Sequence, residues 1–366
     1  MHQLGRAAKR MTETTNENAM TLHRLLDIGK ISDEKPNPDM SVTPIDGDVI
    51  IIDEMSMVDL FLMNYVLNGI YKGSKLILVG DIDQLESVGA GSVLKDLIQS
   101  NKIPYIVLNK IFRQAAKSKI IVNSHKVNEG VNFISEINID NEDDEKIDDF
   151  HFIDENNLNE AKEILLENYN QNTQIITPTK KGELGTKVLN KLIQEKFNPK
   201  ERARKEKKFG DVIFRVGDKV MQTKNNYDIE WQKENKETNL IEYNSGIFNG
   251  EMGIIKDIYD DENAILIKFE DNKEAIYTYE ELDQIEHSFA ITVHKSQGSE
   301  FDEVIMPILN VPQMLLTRNI LYTGMTRAKK NLIIISNSSI INYMINNANS
   351  KKRNSGLKYK IENIFS

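Results

Sequence analysis

Five short segments of this 366-residue sequence gather carboxylates, amides and guanidinium groups in ways that suit phosphate chemistry. The apolar run Val49-Ile50-Ile51-Ile52 ends in Asp53-Glu54. At the carboxyl end of a parallel strand such a pair faces the ligand crevice, where Asp53 can hold Mg²⁺ and Glu54 can polarise a water for attack on a γ-phosphate. Acids in this position also serve as helix caps or turn residues. A second run, Leu76 to Val79, closes on Gly80-Asp81-Ile82-Asp83-Gln84-Leu85. Gln84 next to a nucleotide can sense the γ-phosphate by hydrogen bonding and pass its presence to a neighbouring loop. The competing reading is an ordinary glycine-rich turn capped by Ser92, and two Asp-terminated strands in close succession weigh against it.

Arg113 in Phe112-Arg113-Gln114 and Arg327 in Tyr322-Thr323-Gly324-Met325-Thr326-Arg327-Ala328 carry the planar, permanent charge that a transferring phosphoryl group needs. Arginines at helix starts are also common surface residues, and Met325 reads as core filler. The segment Thr292-Val293-His294-Lys295-Ser296-Gln297-Gly298-Ser299-Glu300 follows another strand. Thr292, His294 and Ser296 there can grip a nucleic-acid backbone while Gln297, Gly298 and Glu300 face a nucleotide. His294 has no second His or Cys at ligand spacing and is not read as a metal ligand.

These groups need strands to hold them. Apolar runs at Val49–Ile52, Leu76–Val79, Tyr105–Leu108, Gln174–Ile176, Phe289–Val293, Val304–Ile308 and Leu332–Ser336 alternate with segments of helical spacing, such as Met57, Leu60, Phe61, Tyr65, Val66 and Ile70. Continuous apolar strands separated by helices predict an α/β fold with parallel sheets buried on both faces. Between Asp211 and Glu281 the signal changes to Gly-rich turns and short alternating strands, which predicts an inserted antiparallel barrel. Trp231, the only Trp, is expected to pack that barrel, with stacking on a nucleic-acid base as the alternative. Gly29 to Gly47, with Pro36, Pro38 and Pro44, reads as a hairpin or a loop.

Composition narrows the class further. The chain has 40% hydrophobic and 28% charged residues and no Cys, which removes disulfide scaffolds, thiolate metal sites and cysteine nucleophiles. No stretch is long and apolar enough to span a membrane, so a cytoplasmic protein without a membrane partner is expected. The net charge of −10 argues against simple coating of nucleic acid. That charge is uneven. Asp140–Asp149 holds seven acids and one Lys and is expected to be a solvated loop, while Lys196–Lys208 holds seven bases and two acids and reads as either a phosphate contact or a solvated helix end.

In this order, Asp53-Glu54, Gly80-Asp81-x-x-Gln84-Leu85-x-Ser87-Val88-Gly89-x-Gly91, Phe112-Arg113-Gln114, Val293 to Glu300 and Tyr322-Thr323-x-x-Thr326-Arg327-Ala328 resemble motifs II to VI of superfamily 1 helicases. The nearest resemblance is to the RecD/TraA group. Gly5-Arg6-Ala7-Ala8-Lys9-Arg10 is similar to its motif Ia, Thr21 to Leu26 to the helix that follows, and Asp53 to Asp59 to its extended motif II. The resemblance implies two RecA-like domains, the first incomplete: residues 1–110, with a strand-parting hairpin at 29–47, then 111–208 with 284–366, and an inserted SH3-like barrel at 209–283. It implies ATP in the cleft, Mg²⁺ on Asp53, water activation by Glu54, coupling by Gln84, and Arg113 and Arg327 at the γ-phosphate, with Gln114, Gln297, Gly298 and Glu300 around the nucleotide. Arg6, Lys9, His23, Thr292, His294, Lys295 and Ser296 would track single-stranded DNA. The implied activity is 5′-to-3′ DNA translocation in recombination or repair, with nuclease or other recombination subunits as further partners.

Two departures qualify this. Leu85-Glu86-Ser87-Val88-Gly89-Ala90-Gly91 lacks two prolines usual in the family, which should loosen the loop. No G-x-x-x-x-G-K-[ST] occurs in the 366 residues, so the β- and γ-phosphate cradle is missing and the chain is expected to be a carboxy-terminal portion unable to hydrolyse ATP alone. The alternative from another class is a nucleotide-independent module that binds single-stranded DNA or docks a partner. An RNA helicase of the same superfamily is a third reading.

Overall fold

A computed structural model describes residues 8, 11–12, 14–28, 41–108, 110, 115–134, 147–234, 240–348, 353 and 355–365. Arg6, Lys9, Arg113, Gln114 and most of the expected hairpin, residues 29–40, lie outside the described residues.

The first α/β unit contains β1 (Val49–Ile52) and β2 (Lys75–Leu78), paired in parallel from Val49↔Lys75 to Ile52↔Leu78. Helix Leu60–Gly69 connects them, and Asp59 starts it by accepting a hydrogen bond from Leu62 N at 2.8 Å. Ile50 and Ile52 of β1 meet Leu62 and Val66 of the helix in a core completed by Leu22, Leu26, Met55, Val93 and Leu94. The expectation of burial on both faces fails here: Val49, Ile51, Ile77 and Val79 point outward and are exposed. Tyr105–Leu108 forms no strand, and Ile106 and Leu108 are 88% and 92% exposed. An apolar run forms a strand only when a neighbour supplies its ladder hydrogen bonds, and no such neighbour stands beside it among the described residues.

The second α/β unit starts with β3 (Phe150–Asp154) and β4 (Thr173–Thr177). Helix Thr186–Phe197 then leads into the antiparallel β region. That region opens with a hairpin, β5 (Glu206–Phe209) and β6 (Val212–Arg215). It continues through β7 (Lys219–Gln222), β8 (Asn226–Glu234), β9 (Ile241–Ile247), β10 (Met252–Tyr259), β11 (Ala264–Phe269), β12 (Glu274–Thr278) and β13 (Ile285–His287), joined in the order β13-β7-β10-β11-β12-β8-β9. Alternating burial along β11 and β12 puts Ile265, Ile267, Ala275 and Tyr277 into its core. Trp231 packs there too, as expected, with Lys273 Nζ 5.2 Å from its ring.

The chain returns through β14 (Ala290–Thr292), β15 (Phe301–Ile308) and β16 (Ala328–Ser336) to complete a parallel sheet of order β14-β4-β15-β16-β3. Here both faces are covered. Met306, Leu332 and Ile334 pack against helix Arg318–Met325 on one side, with Met325 in the core. Ile175, Ile305, Ile333 and Ile335 pack against Ala161, Leu165, Leu189 and Ile193 on the other.

A buried carboxylate joins this unit to the β region. Asp218 is fully buried and accepts from Arg215 N at 2.7 Å, Gln194 Nε2 at 2.6 Å and Asn198 Nδ2 at 2.7 Å, with His287 Nε2 at 2.9 Å. Of the acidic run expected to be a solvated loop, residues 140–146 lie outside the described residues. Asp149, at the end of the acidic run, is buried and accepts from Ser118 Oγ at 2.5 Å and Ile120 N at 3.1 Å at the start of helix Lys119–Glu129, because ionised oxygens suit unpaired helix N–H groups. In the basic run, Lys200 pairs with Glu206, Lys205 with Asp257 and Lys207 lies 3.5 Å over the Tyr279 ring.

Candidate functional site

The site forms where β1 and β2 end. Val79 N donates to Ile52 O at 2.8 Å and Met55 N donates to Val79 O at 3.0 Å, which brings Asp53-Glu54 beside Gly80-Asp81. Gly80 is required by this approach: a Cβ would stand 2.9 Å from both Met55 N and Leu94 Cδ2. Asp53 Oδ1 accepts from Glu54 N at 2.8 Å, and Glu54 takes the left-handed conformation, φ 53° and ψ 43°. A glutamate with positive φ is held there by its surroundings at a cost of about 1 kcal/mol or more.

Burial pushes the Glu54 carboxyl above its ordinary value; the Arg327 guanidinium opposes this, and Asp53, Asp81 and Glu300 reinforce it. Arg327 enters from the turn before β16 and is 5% exposed. Its guanidinium donates to Thr323 O at 3.1 Å, Ser299 O at 3.3 Å and Thr326 Oγ1 at 3.2 Å. Burial lowers its pKa, while Glu54, Glu300 and Asp81 act in the opposite direction. One buried cation and four carboxylates therefore share a cleft between the two α/β units. That donor set fits a metal-bound polyphosphate, for which carboxylates hold hydrated metal and the guanidinium meets phosphate oxygen. Among the described residues no group of three or more His, Asp or Glu side chains could hold a metal ion by itself.

Gln84 lies on the seam. Its Nε2 donates to Asp81 Oδ2 at 3.3 Å, and its buried Oε1 has no hydrogen-bond partner. Tyr322 Oη donates to the same Asp81 oxygen at 2.8 Å. The following backbone is gripped from the second unit: Asn319 Nδ2 donates to Asp83 O at 2.8 Å, Leu85 N donates to Thr323 Oγ1 at 3.0 Å and Gln297 Nε2 donates to Leu85 O at 2.9 Å. Asn128 Nδ2 adds a bond to Asp83 Oδ2 at 2.9 Å. Next, the Glu86–Gly91 loop is held by Arg353, which pairs with Glu86 at 2.9 Å and donates to Ser87 O, Gly89 O and Gly91 O. The loop expected to be loosened by its missing prolines is thus tied through its carbonyls. Ser92, weighed as a helix cap, makes no capping bond and donates to Glu86 Oε1 at 3.1 Å.

The residues expected to track DNA are placed as follows. Thr292 Oγ1 accepts from Lys295 N at 3.3 Å, and the buried Ser296 Oγ donates to Val293 O at 2.8 Å, so both hydroxyls serve the short helix Val293–Ser296. Lys295 pairs with Glu286. His294 has an exposed edge, and the protein mass around it lowers its pKa. His23 is half-buried on helix Leu22–Leu25, whose Arg24 lies 5.9 Å from the Phe248 ring of the β region. Glu300 pairs with Lys329 at 3.3 Å, and Gly298 has φ +70°. Asn128, Asn319 and Arg353 were not singled out from sequence. Single polar residues in helices or tails carry no signal until the fold brings them to a partner.

Three family models match the chain: an AAA domain over residues 3–144, an ATP-dependent RecD-like DNA helicase SH3 domain over 189–269 and a UvrD-like helicase C-terminal domain over 287–335. The ATP-dependent RecD2 DNA helicase of Deinococcus radiodurans is 32% identical over 89% of this chain and 41% of its own length. The chain belongs to the RecD-like helicases. The RecBCD enzyme subunit RecD of Buchnera aphidicola subsp. Schizaphis graminum is 29% identical over 88% of this chain and 59% of its own length. The chain thus spans roughly half the length of these RecD relatives, 41% and 59% respectively. In fold it is similar to a Bacteroides Pif1 helicase structure with ADP-AlF3 and ssDNA, with a TM-score of 0.52, 19% identity and coverage of 94% of this chain and 83% of that one. The parallel sheets and inserted antiparallel region fit a RecD-like architecture of RecA-like units with an SH3-like insertion.

Proposed function

We propose that this chain carries the second half of an ATP-driven 5′-to-3′ translocation site for single-stranded DNA, in which Asp53 holds hydrated Mg²⁺, Glu54 accepts a proton from water, and Arg327 meets the charge that develops on phosphate. Mg²⁺ supplies charge neutralisation at the phosphates when bound. Arg113 and Gln114 are proposed to act from the same side, Gln297, Gly298 and Glu300 to line the nucleotide, and Arg6, Lys9, His23, Thr292, His294, Lys295 and Ser296 to follow the DNA backbone. The observation that carries this reading is the Gln84 segment: its side chain lies in the carboxylate cleft with Oε1 unpartnered, while its backbone is held by Asn319, Thr323 and Gln297. A change at Gln84 therefore reaches the second unit within one residue.

The sequence holds no P-loop, and among the described residues nothing buries Val49, Ile51, Ile77 and Val79 on the outward face of β1 and β2. Both support a division of labour in which a phosphate loop outside these residues completes the site and these residues alone turn over little ATP. Relatives named as RecBCD subunits support assembly with nuclease or recombination subunits. A cytoplasmic setting is proposed as well; among the described residues no helix is long and apolar enough to cross a membrane. The test is DNA-stimulated ATPase of residues 1–366 alone and of the same residues joined to an upstream P-loop segment. Activity should appear only in the longer protein, and Glu54→Gln should abolish it while single-stranded DNA binding persists. Robust turnover by residues 1–366 alone would overturn the division of labour.

A further inference from the structure

A cavity of about 600 Å³ lies between the β region and the second parallel sheet and shares only Glu300 with the residues proposed to line the nucleotide. That volume falls in the range of small-molecule sites. One wall is β7, β10 and β11, with Lys219, Met252 and Phe269; the other includes Gln171 to Gln174, Ser288 and Phe301. Ser288 precedes β14 and Thr292 ends it, so the Ser288 wall of the cavity lies at the other end of this strand from Thr292.

Two polar groups in this lining are incompletely met, Ser288 lacking a hydrogen-bond partner and Lys219 a counter-ion among the described residues. Ser288 is 1% exposed and its Oγ has no hydrogen-bond partner. Lys219 Nζ donates to Gln171 O at 2.5 Å and Thr173 O at 3.4 Å, stands 5.8 Å from the Tyr169 ring, and forms no ion pair among the described residues. The other lining charges mostly have counter-ions: Lys256 and Lys268 share Glu274, Asp302 pairs with Lys330 and Glu300 with Lys329. Lys219 and Ser288 are adjacent, because Ser288 N donates to Lys219 O at 2.9 Å. Burial lowers the Lys219 pKa to about 8, the direction expected of an ammonium without a counter-charge. Met252, Phe269 and Phe301 add an apolar surface alongside.

We propose that this cavity binds a small organic anion, a phosphate or carboxylate on an apolar or planar body, with Lys219 Nζ and Ser288 Oγ meeting the anionic head. The ligand would bridge the β region and the second sheet next to Glu300, and so fix their relative position. The proposal does not depend on the helicase reading, since no nucleotide-cleft residue supplies the anionic contacts.

The test is calorimetric titration of the full chain with pyrophosphate, AMP and, as a control without an anionic head, adenosine. Lys219→Met should weaken binding by about tenfold or more, as expected for loss of a charged hydrogen bond. Ser288→Ala should weaken it by about threefold to tenfold while leaving the melting temperature unchanged or raised, because the hydroxyl it removes is unpaired in the free protein. That second variant keeps the test valid if the first folds poorly. Arg327→Ala should leave binding unchanged. The proposal is overturned if neither pyrophosphate nor AMP binds at millimolar concentration, if adenosine binds as tightly as AMP, if Ser288→Ala binds like the parent, or if Arg327→Ala abolishes binding.

Discussion

Leu85 of the first α/β unit donates its backbone N–H to the Thr323 hydroxyl of the second at 3.0 Å, within a buried seam that includes Gln297 and Asn319. Replacing Thr323 with Val keeps the shape and leaves Leu85 N unsatisfied. The cost should be about 1–3 kcal/mol, seen as a lower denaturation midpoint. Faster amide exchange confined to Asp83–Leu85 and their partners would assign the loss to this seam.

Glu54 gives a pH-dependent signature. Burial raises its folded pKa above the ordinary 4.5, so the folded state disfavours the ionised form, and stability falls as pH rises from about that value through the raised one. Glu54→Gln should melt higher than the parent at pH 7, and the difference should shrink toward pH 4 as both unfolded and folded Glu54 become protonated. An unchanged difference across that range would count against burial as the cause.

Arg353 holds Glu86 and three carbonyls of a loop whose Gly89 has no room for a side chain: a Cβ there would lie 1.8 Å from Asp59 Oδ2. Arg353→Ala should cost about 1–2 kcal/mol and raise amide exchange in Ser87–Gly91. Gly89→Ala should displace Asp59 from the start of helix Leu60–Gly69 and destabilise by a further route, loss of its cap, worth about 0.5–2 kcal/mol.

Asp218 ties the β region to the second sheet through Gln194, Asn198, Arg215 and His287. Asp218→Ala strips a buried acceptor from several donors at once and should cost about 3–5 kcal/mol. Calorimetry should then resolve two transitions where the parent gives a more cooperative one, because the joint that couples the two cores is lost.

The bare face of Val49, Ile51, Ile77 and Val79 predicts concentration-dependent self-association and binding of a hydrophobic dye. Ile77→Lys should reduce both without lowering the melting temperature, since Ile77 is 45% exposed. A drop in stability would instead place Ile77 in a covered core.

How much of this was legible beforehand depended on the range of the interaction. Apolar runs such as Val304–Ile308 and Leu332–Ser336 identified buried parallel strands because both faces of that sheet are covered, and the turn-rich stretch after Asp211 identified the antiparallel region because local backbone chemistry sets such turns. Ordered short motifs named the family because phosphate chemistry constrains residue type over a few neighbouring positions. Val49–Ile52 shows the limit: the same apolar signature forms a strand with one face bare, since burial depends on what packs against it and not on the run itself. Asp149 shows it again, leaving an acidic run to cap a helix. Only the tertiary structure decided that Arg327, Glu54, Asp81 and Glu300 share one field, that Arg353 clamps a loop more than 260 residues earlier in the chain, and that Lys219 and Ser288 meet at a cavity. Those relationships join residues far apart in sequence, and side-chain type and local spacing carry no record of which distant partner will complete a hydrogen bond or neutralise a charge.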